Sequence, residues 1–288
     1  MSDSILDEVV ALLDIDRLGD DTFIAGHAAS AAETGHVFGG LVAAQATVAA
    51  CRTVATDRPI HSLHAYFLRP GDPGHPIELR VEMTRDGRSF SHRRVSAVQQ
   101  GRAIMEMACS FAMPEPGLRH QVSMPEVPSP EELTSDWTRL RSMPDVVPSL
   151  ARPAAFDIRS VGNHSRVSRD LGETTDRSQM WMRADGDVGD DPLLHTALFV
   201  YASDLTVLDP VTRPNARSMA AEDVLPATID HAVWFHRASR ADEWWLCDAD
   251  SPWAGDGRGF ARACVFDRSG ALVAEIAQEG LIRLPGDC

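Results

Sequence analysis

No lysine occurs in the 288 residues; all 27 basic residues are arginine. That absence excludes a Schiff-base lysine, and with it pyridoxal-phosphate catalysis. It also excludes a Walker A phosphate loop, which needs a lysine. Cysteine is scarce. Cys51, Cys109, Cys247, Cys264 and Cys288 are odd in number, far apart and form no C-x-x-C pair. Such a set fits free thiols in a reducing compartment and argues against a zinc site or a disulfide framework. No run of about 18 apolar residues is present, so no membrane span is expected. The start, MSDSILDEVV, is acidic without a signal-peptide pattern, and the final GDC is not a peroxisomal address. The cytosol is the expected location. The net charge of −15 argues against nucleic acid or an anionic membrane surface as a partner. It is compatible with a small anionic ligand, because local charge differs from net charge.

What is present is ample core material. At 44% hydrophobic, a chain of this length accommodates two domains. SILDEVVALL reads as a serine-capped helix and TFIAGH as a short strand. HVFGGLVAAQATVAACRTV reads as a helix apolar almost all round, so it is expected to be buried. Its many small residues let another element pack closely. Four alternating runs follow: IHSLHAYFLRP, IELRVEMTRDG, RSFSHRRVSAVQQG and RAIMEMACSFAMP, with D-G and Q-G turns between them. Eight prolines (114, 116, 125, 128, 130, 144, 148 and 153) then mark a linker with one short helix near Trp137.

The second half repeats the first. SLHAYFLR with His64 resembles IDHAVWFHR with His231, an offset of 231 − 64 = 167. Asp86-Gly87-Arg88 resembles Asp256-Gly257-Arg258, an offset of 170, and Gly101 resembles Gly270, an offset of 169. Three landmarks in one order at nearly one offset indicate duplication. Each half is then a buried helix followed by antiparallel strands, with residues 193–205 as the second-half helix.

Some polar residues fall in odd places. In LVAEIAQEGLIRLP, read as a strand, Gln278 shares a face with Leu272, Ala274, Ile276 and Ile282. Counted from the turn glycines with one inserted residue, its first-half counterpart is Ser110, so the fold does not demand an amide there. An unpaired amide on a buried face costs about 1–3 kcal/mol, so Gln278 needs partners, either local backbone and water or functional groups. Asp204 shares a helix face with Leu193, Ala197 and Tyr201 or Val200, which makes it a partly desolvated carboxylate or a plain exposed helix end. Thr228 is a β-branched residue at a strand start. Asp230, His231 and His236 suggest a triad or metal set, but no G-x-S-x-G, H-E-x-x-H or paired cysteines support either. No metal and no cofactor are expected. Arg85, Arg88, Arg93 and Arg94 lie in a locally basic segment, a candidate for phosphate contact or a solvated face.

VFGGLVAAQA, HSLHAYFLRPGD, RDGRSFSHRRV, YASDL, ATIDHAVWFHR and AQEGLIR resemble the type II acyl-CoA thioesterases, the TesB-like group. The resemblance spans nearly the whole chain and is weakest over about 120–180. It implies a double hotdog in the α+β class: two antiparallel sheets, each wrapped around a long helix. The expected division is a hotdog over 1–117, a proline-rich linker over 118–153 and a second hotdog over 154–288 carrying the active site. The resemblance implies hydrolysis of acyl-CoA to free acid and CoA, and it assigns the active site to Asp204, Thr228 and Gln278. The thiolate leaving group needs little protonation. Asp204 is the expected base for a water oriented by Thr228 and Gln278, with a backbone N–H at the second-half helix start as oxyanion donor. A hotdog enoyl-CoA hydratase or dehydratase and a non-catalytic acyl-CoA-binding protein are the alternatives. Flat sheet faces and edges favour a homodimer or homotetramer.

Overall fold

The computed structural model describes residues 4–27, 35–141, 154–219 and 224–284. In chain order the elements are α1 (Ile5–Leu13), β1 (Asp16–Arg17), β2 (Thr22–Ala25), α2 (Gly39–Cys51), β3 (Ile60–Phe67), β4 (Ile77–Asp86), β5 (Phe90–Gln99) and β6 (Arg102–Ala112). Then come α3 (Asp136–Leu140), β7 (Phe156–Ser160), α4 (Ser165–Leu171), β8 (Arg177–Ala184), α5 (Pro192–Thr206) and α6 (Asp209–Thr212). The chain ends with β9 (Leu225–Thr228), β10 (Asp230–Phe235), β11 (Trp245–Gly255), β12 (Arg258–Asp267) and β13 (Leu272–Arg283). Ser4 caps α1: its hydroxyl accepts from Asp7 N–H at 3.1 Å, and the Asp7 carboxylate accepts from Ser4 N–H at 2.9 Å.

The duplication is written in the strand order. One set runs β2-β4-β5-β6-β3, and β8-β11-β12-β13-β10 repeats it. Each set takes one strand from before its helix and the others from after it. β3 pairs with β10, Val233 opposite Leu63, so the two expected sheets join edge to edge into one 13-stranded antiparallel sheet. Every residue of α2 from Gly40 to Ala50 is buried, as its composition predicts. The helices α2 and α5 pack on each other inside one continuous core. A Cβ on Gly40 would lie 2.7 Å from the Tyr201 carbonyl oxygen, so this approach requires glycine.

The register of the repeat differs from the sequence landmarks. β5 and β12 share a burial alternation almost residue for residue, an offset of 258 − 90 = 168. At the same offset His231 aligns with Leu63 and His64 with Ala232. His231 is buried and His64 exposed, because adjacent strand residues face opposite ways. Pairing the two histidines was therefore one residue out. Gln278 aligns with buried Cys109, not Ser110, an offset of 169 with no insertion. The D-G landmarks also differ. Asp256 and Gly257 have φ of 50° and 70° and close a two-residue hairpin between Gly255 and Arg258. Asp86 is paired within β4, ahead of a longer turn.

The short helix expected near Trp137 is α3. The proline-rich stretch before it is pinned to the second half. Trp181 Nε1 donates to Pro128 O at 2.9 Å, Gln121 Nε2 donates to Gly270 O at 2.8 Å, and Arg268 pairs with Glu131 at 2.8 Å. Pro144, Pro148, Pro153 and Cys288 lie outside the described residues. Among the described residues no helix is long and apolar enough to cross a membrane.

Candidate active site

Three elements bring the predicted polar residues together. Asp191 caps α5 by accepting from Leu193 N–H at 2.9 Å, and Pro192 opens the helix. Three turns on, the last turn carries Ser203 and Asp204. β13 turns Ile276, Gln278 and Gly280 inward, and Gln278 is 1% exposed. β9 pairs with β13, with Thr228 opposite Gly280. Thr228 thus stands beside Gln278 under the end of α5.

Gln278 Nε2 donates to Asp204 Oδ1 at 2.8 Å and to Thr228 Oγ1 at 2.7 Å. The Thr228 hydroxyl donates to Asp204 Oδ1 at 3.2 Å. A carboxylate accepts only, so the amide must turn its nitrogen toward Asp204. Its oxygen points the other way and accepts from His231 Nδ1 at 2.8 Å. Gln278 therefore offers this cluster its N–H groups alone.

Asp204 is half-buried and lines a pocket of about 1080 Å³. Burial raises its carboxyl above the usual carboxylate range; His231, the bonds from Gln278 and Thr228, and the Gly40 N–H act in the opposite sense. Burial lowers His231, which keeps the imidazole neutral. The four described thiols offer no nucleophile: burial pushes Cys51 and Cys247 up to about 12 and raises Cys109 and Cys264.

The first half completes the site. Phe38 caps α2 without a side-chain bond, and a Cβ on Gly39 would lie 3.0 Å from both Asp204 Oδ2 and Phe67 Cε1. The helix start beside Asp204 is thus that of α2. The start of the second-half helix, expected to present an oxyanion donor, opens with a proline and lies away from this pocket, which only the last turn of that helix lines. The pocket that Asp204 lines is built from both halves, not from residues 154–288 alone. Apolar walls come from Val42, Phe67, Met105, Phe156, Met180 and Leu208. Farther along the wall Asp136 accepts from Ser160 N–H at 3.1 Å and Oγ at 2.7 Å, fastening α3 to β7.

The four arginines do not reach this pocket. Arg93 is 2% exposed and held by Asp86 at 3.0 Å and Thr53 at 2.9 Å, which removes it as a phosphate ligand. Arg94 pairs with Glu82 on the surface. Arg85 and Arg88 are exposed at the end of the β4–β5 hairpin. β5 is four strands from β13, roughly 19 Å along the sheet. The arginine that does line the pocket is Arg69, exposed at its rim just after β3. Asp230 and His236 stand apart from His231. Asp230 accepts from Glu279 N–H at 2.9 Å, and His236 meets Glu275 at 2.9 Å on the surface. Among the described residues no group of three acidic, histidine or cysteine side chains suits a metal ion.

Sequence reasoning missed Ser203, Gly39 and Arg69, and gave His231 no role. Strand parity carries a signal for His231, which shares the buried face with Val233.

Comparisons with known proteins agree with this architecture. Residues 28–112 match the acyl-CoA thioesterase N-terminal domain family and residues 123–282 the acyl-CoA thioesterase C-terminal domain family. The chain is 37% identical to human acyl-coenzyme A thioesterase 8 over 96% of its length and 89% of that protein's. It is 35% identical to acyl-CoA thioesterase 2 of Haemophilus influenzae over 98% and 99% of the two chains. Its fold superposes on the crystal structure of the acyl-CoA thioesterase II TesB2 of Mycobacterium marinum with a TM-score of 0.80 at 37% identity, covering 97% of this chain and 100% of that one. With both halves matched and near-full-length relatives above 30% identity, the chain belongs to the acyl-CoA thioesterase family.

Proposed function

We propose that the chain hydrolyses acyl-CoA thioesters to free fatty acid and CoA at Asp204, Thr228 and Gln278. The observation that carries the reading is the mutual contact of these three side chains at 2.7–3.2 Å on the wall of one large, mostly apolar pocket. A thioester carbonyl is already activated, so the reaction needs a placed water, a base and a stabiliser for the developing oxyanion. Asp204 takes the proton from water. Thr228 and Gln278 aim three N–H and O–H bonds into the cluster and hold the carboxylate in place. The Gly39 N–H, at the positive end of α2, is the oxyanion donor. The apolar walls take the acyl chain, and Arg69 at the rim is placed to meet the phosphates of CoA in an otherwise acidic protein.

The same reading keeps two hotdog halves, 1–117 and 154–288, joined by 118–153, with the site drawn from both. It places the chain in the cytosol, supported by four unpaired cysteines among the described residues. It also makes the chain a homodimer or homotetramer, supported by Tyr66 and Trp234, exposed beside the β3–β10 seam.

A hydratase needs an Asp–His pair on the substrate. His231 has both ring nitrogens engaged away from the pocket; the Asp–His pair that does line the pocket is Asp136 with His164, and the Asp136 carboxylate is spent on fastening α3 to β7 through one Ser160 bond to each oxygen. The test is thiol release from acyl-CoAs of increasing chain length, followed with a thiol-reactive dye, beside hydration of crotonyl-CoA. Thiol release without hydration is expected. Hydration without release, or binding without either, overturns the proposal.

A further inference from the structure

We propose that His231 is a positioning residue: through Gln278 Oε1 it fixes which end of the Gln278 amide faces Asp204. The inference rests on the assignment of Gln278 to the site. A primary amide has nearly the same shape after a half-turn, so packing alone cannot choose between its oxygen and its nitrogen. Only the nitrogen end serves here, because the oxygen would oppose the Asp204 carboxylate.

The choice is made behind the amide. His231 is 1% exposed in the middle of β10, and its Nδ1 is 2.8 Å from Gln278 Oε1. That oxygen only accepts, so Nδ1 carries the proton. The ring is neutral, so Nε2 has a lone pair; it lies 2.8 Å from Ser203 Oγ, whose single proton is shared between Nε2 and the Val200 carbonyl oxygen, also at 2.8 Å. Ser203 is the neighbour of Asp204 on α5. Asp204, Gln278, His231 and Ser203 thus form a closed ring of hydrogen bonds that starts and ends on one helical turn. Rotating the amide breaks the ring at two places at once. The fold itself does not ask for a histidine, since the first-half counterpart is Leu63 and the counterpart of Gln278 is Cys109.

The test is a double-mutant cycle on the purified full chain, read as kcat and KM for the acyl-CoA it turns over fastest. His231→Phe keeps ring volume but loses the donor. It is expected to lower kcat by about ten- to a hundredfold while KM moves less than about threefold. His231→Asn keeps a donor near Nδ1 and is expected to recover most of the loss. In a Gln278→Ala background, His231→Phe is expected to add no further loss, because both changes act through one group. Equal recovery failure in the Asn and Phe variants, or the same factor for Phe with and without Gln278, overturns the inference. Gln278→Ala alone reports separately on the reading beneath it: wild-type kcat there removes Gln278 from the reaction. If the Phe variant does not fold, Ser203→Ala frees Nε2 instead. A lowered kcat with unchanged KM is then expected, and an unchanged kcat contradicts the role.

Discussion

Gln278 Nε2 and Asp204 Oδ1 stand 2.8 Å apart although 74 residues separate them in sequence. The bond exists because β13 turns position 278 inward under the last turn of α5. Replacing Gln278 by Ala removes that bond and the one to Thr228. The expected result is a fall in kcat of about ten- to a hundredfold with a smaller change in KM. Steady-state kinetics on the folded variant checks this, and an unchanged kcat returns the amide to a structural part.

The base must be ionised to act, so activity falls as pH drops through the Asp204 pKa. Burial raises that pKa. The acid limb of kcat/KM is therefore expected above the ordinary aspartate value of about 4. Thr228 and Gln278 oppose the rise by bonding the charged form. Thr228→Val is then expected to move the limb to higher pH. A pH–rate profile of both proteins decides the matter; a limb at the ordinary value, or a shift downward, contradicts the electrostatics.

The two glycines at the start of α2 separate catalysis from packing. Gly39→Ala puts a Cβ 3.0 Å from Asp204 Oδ2 and Phe67, so one of them must give by a few tenths of an ångström. A kcat loss of about tenfold with little change in melting temperature is expected, since a misplacement of this size disturbs the reacting geometry. Gly40→Ala meets a backbone oxygen at 2.7 Å that cannot move alone. It is expected to cost about 1–3 kcal/mol of stability, measured by denaturant unfolding.

Arg69, held at the rim by donating Nη1 to Ala103 O at 2.6 Å, is expected to act on the phosphates and not on the thioester. Arg69→Ala should raise KM for an acyl-CoA by about five- to fiftyfold, the loss of one or two charge-assisted hydrogen bonds. KM for the matching acyl-pantetheine, which lacks the nucleotide phosphates, should not move. Equal effects on both substrates contradict the assignment.

Much of the fold is legible in the sequence because period and composition are local. Ser4 announces its cap, the small residues of α2 announce burial, and alternation in LVAEIAQEGLIRLP puts Gln278 inside. Register was less legible. Two histidines in similar words invited pairing His64 with His231, and only the faces of the strands show them to be one residue apart. The arginines misled because position along a strand says nothing of distance across a sheet: Arg93 is buried in its own ion pair while Arg69, unremarked, lines the pocket. The start of α2 was missed because a contact between halves depends on how the two helices dock, which no local pattern carries.

The central claim is that Asp204 is the base. Its most direct test is thiol release by Asp204→Asn, with circular dichroism and melting temperature confirming an intact fold. A loss of kcat of at least about a hundredfold is predicted, the ordinary worth of general-base catalysis. Near-normal turnover by the folded variant would contradict the account.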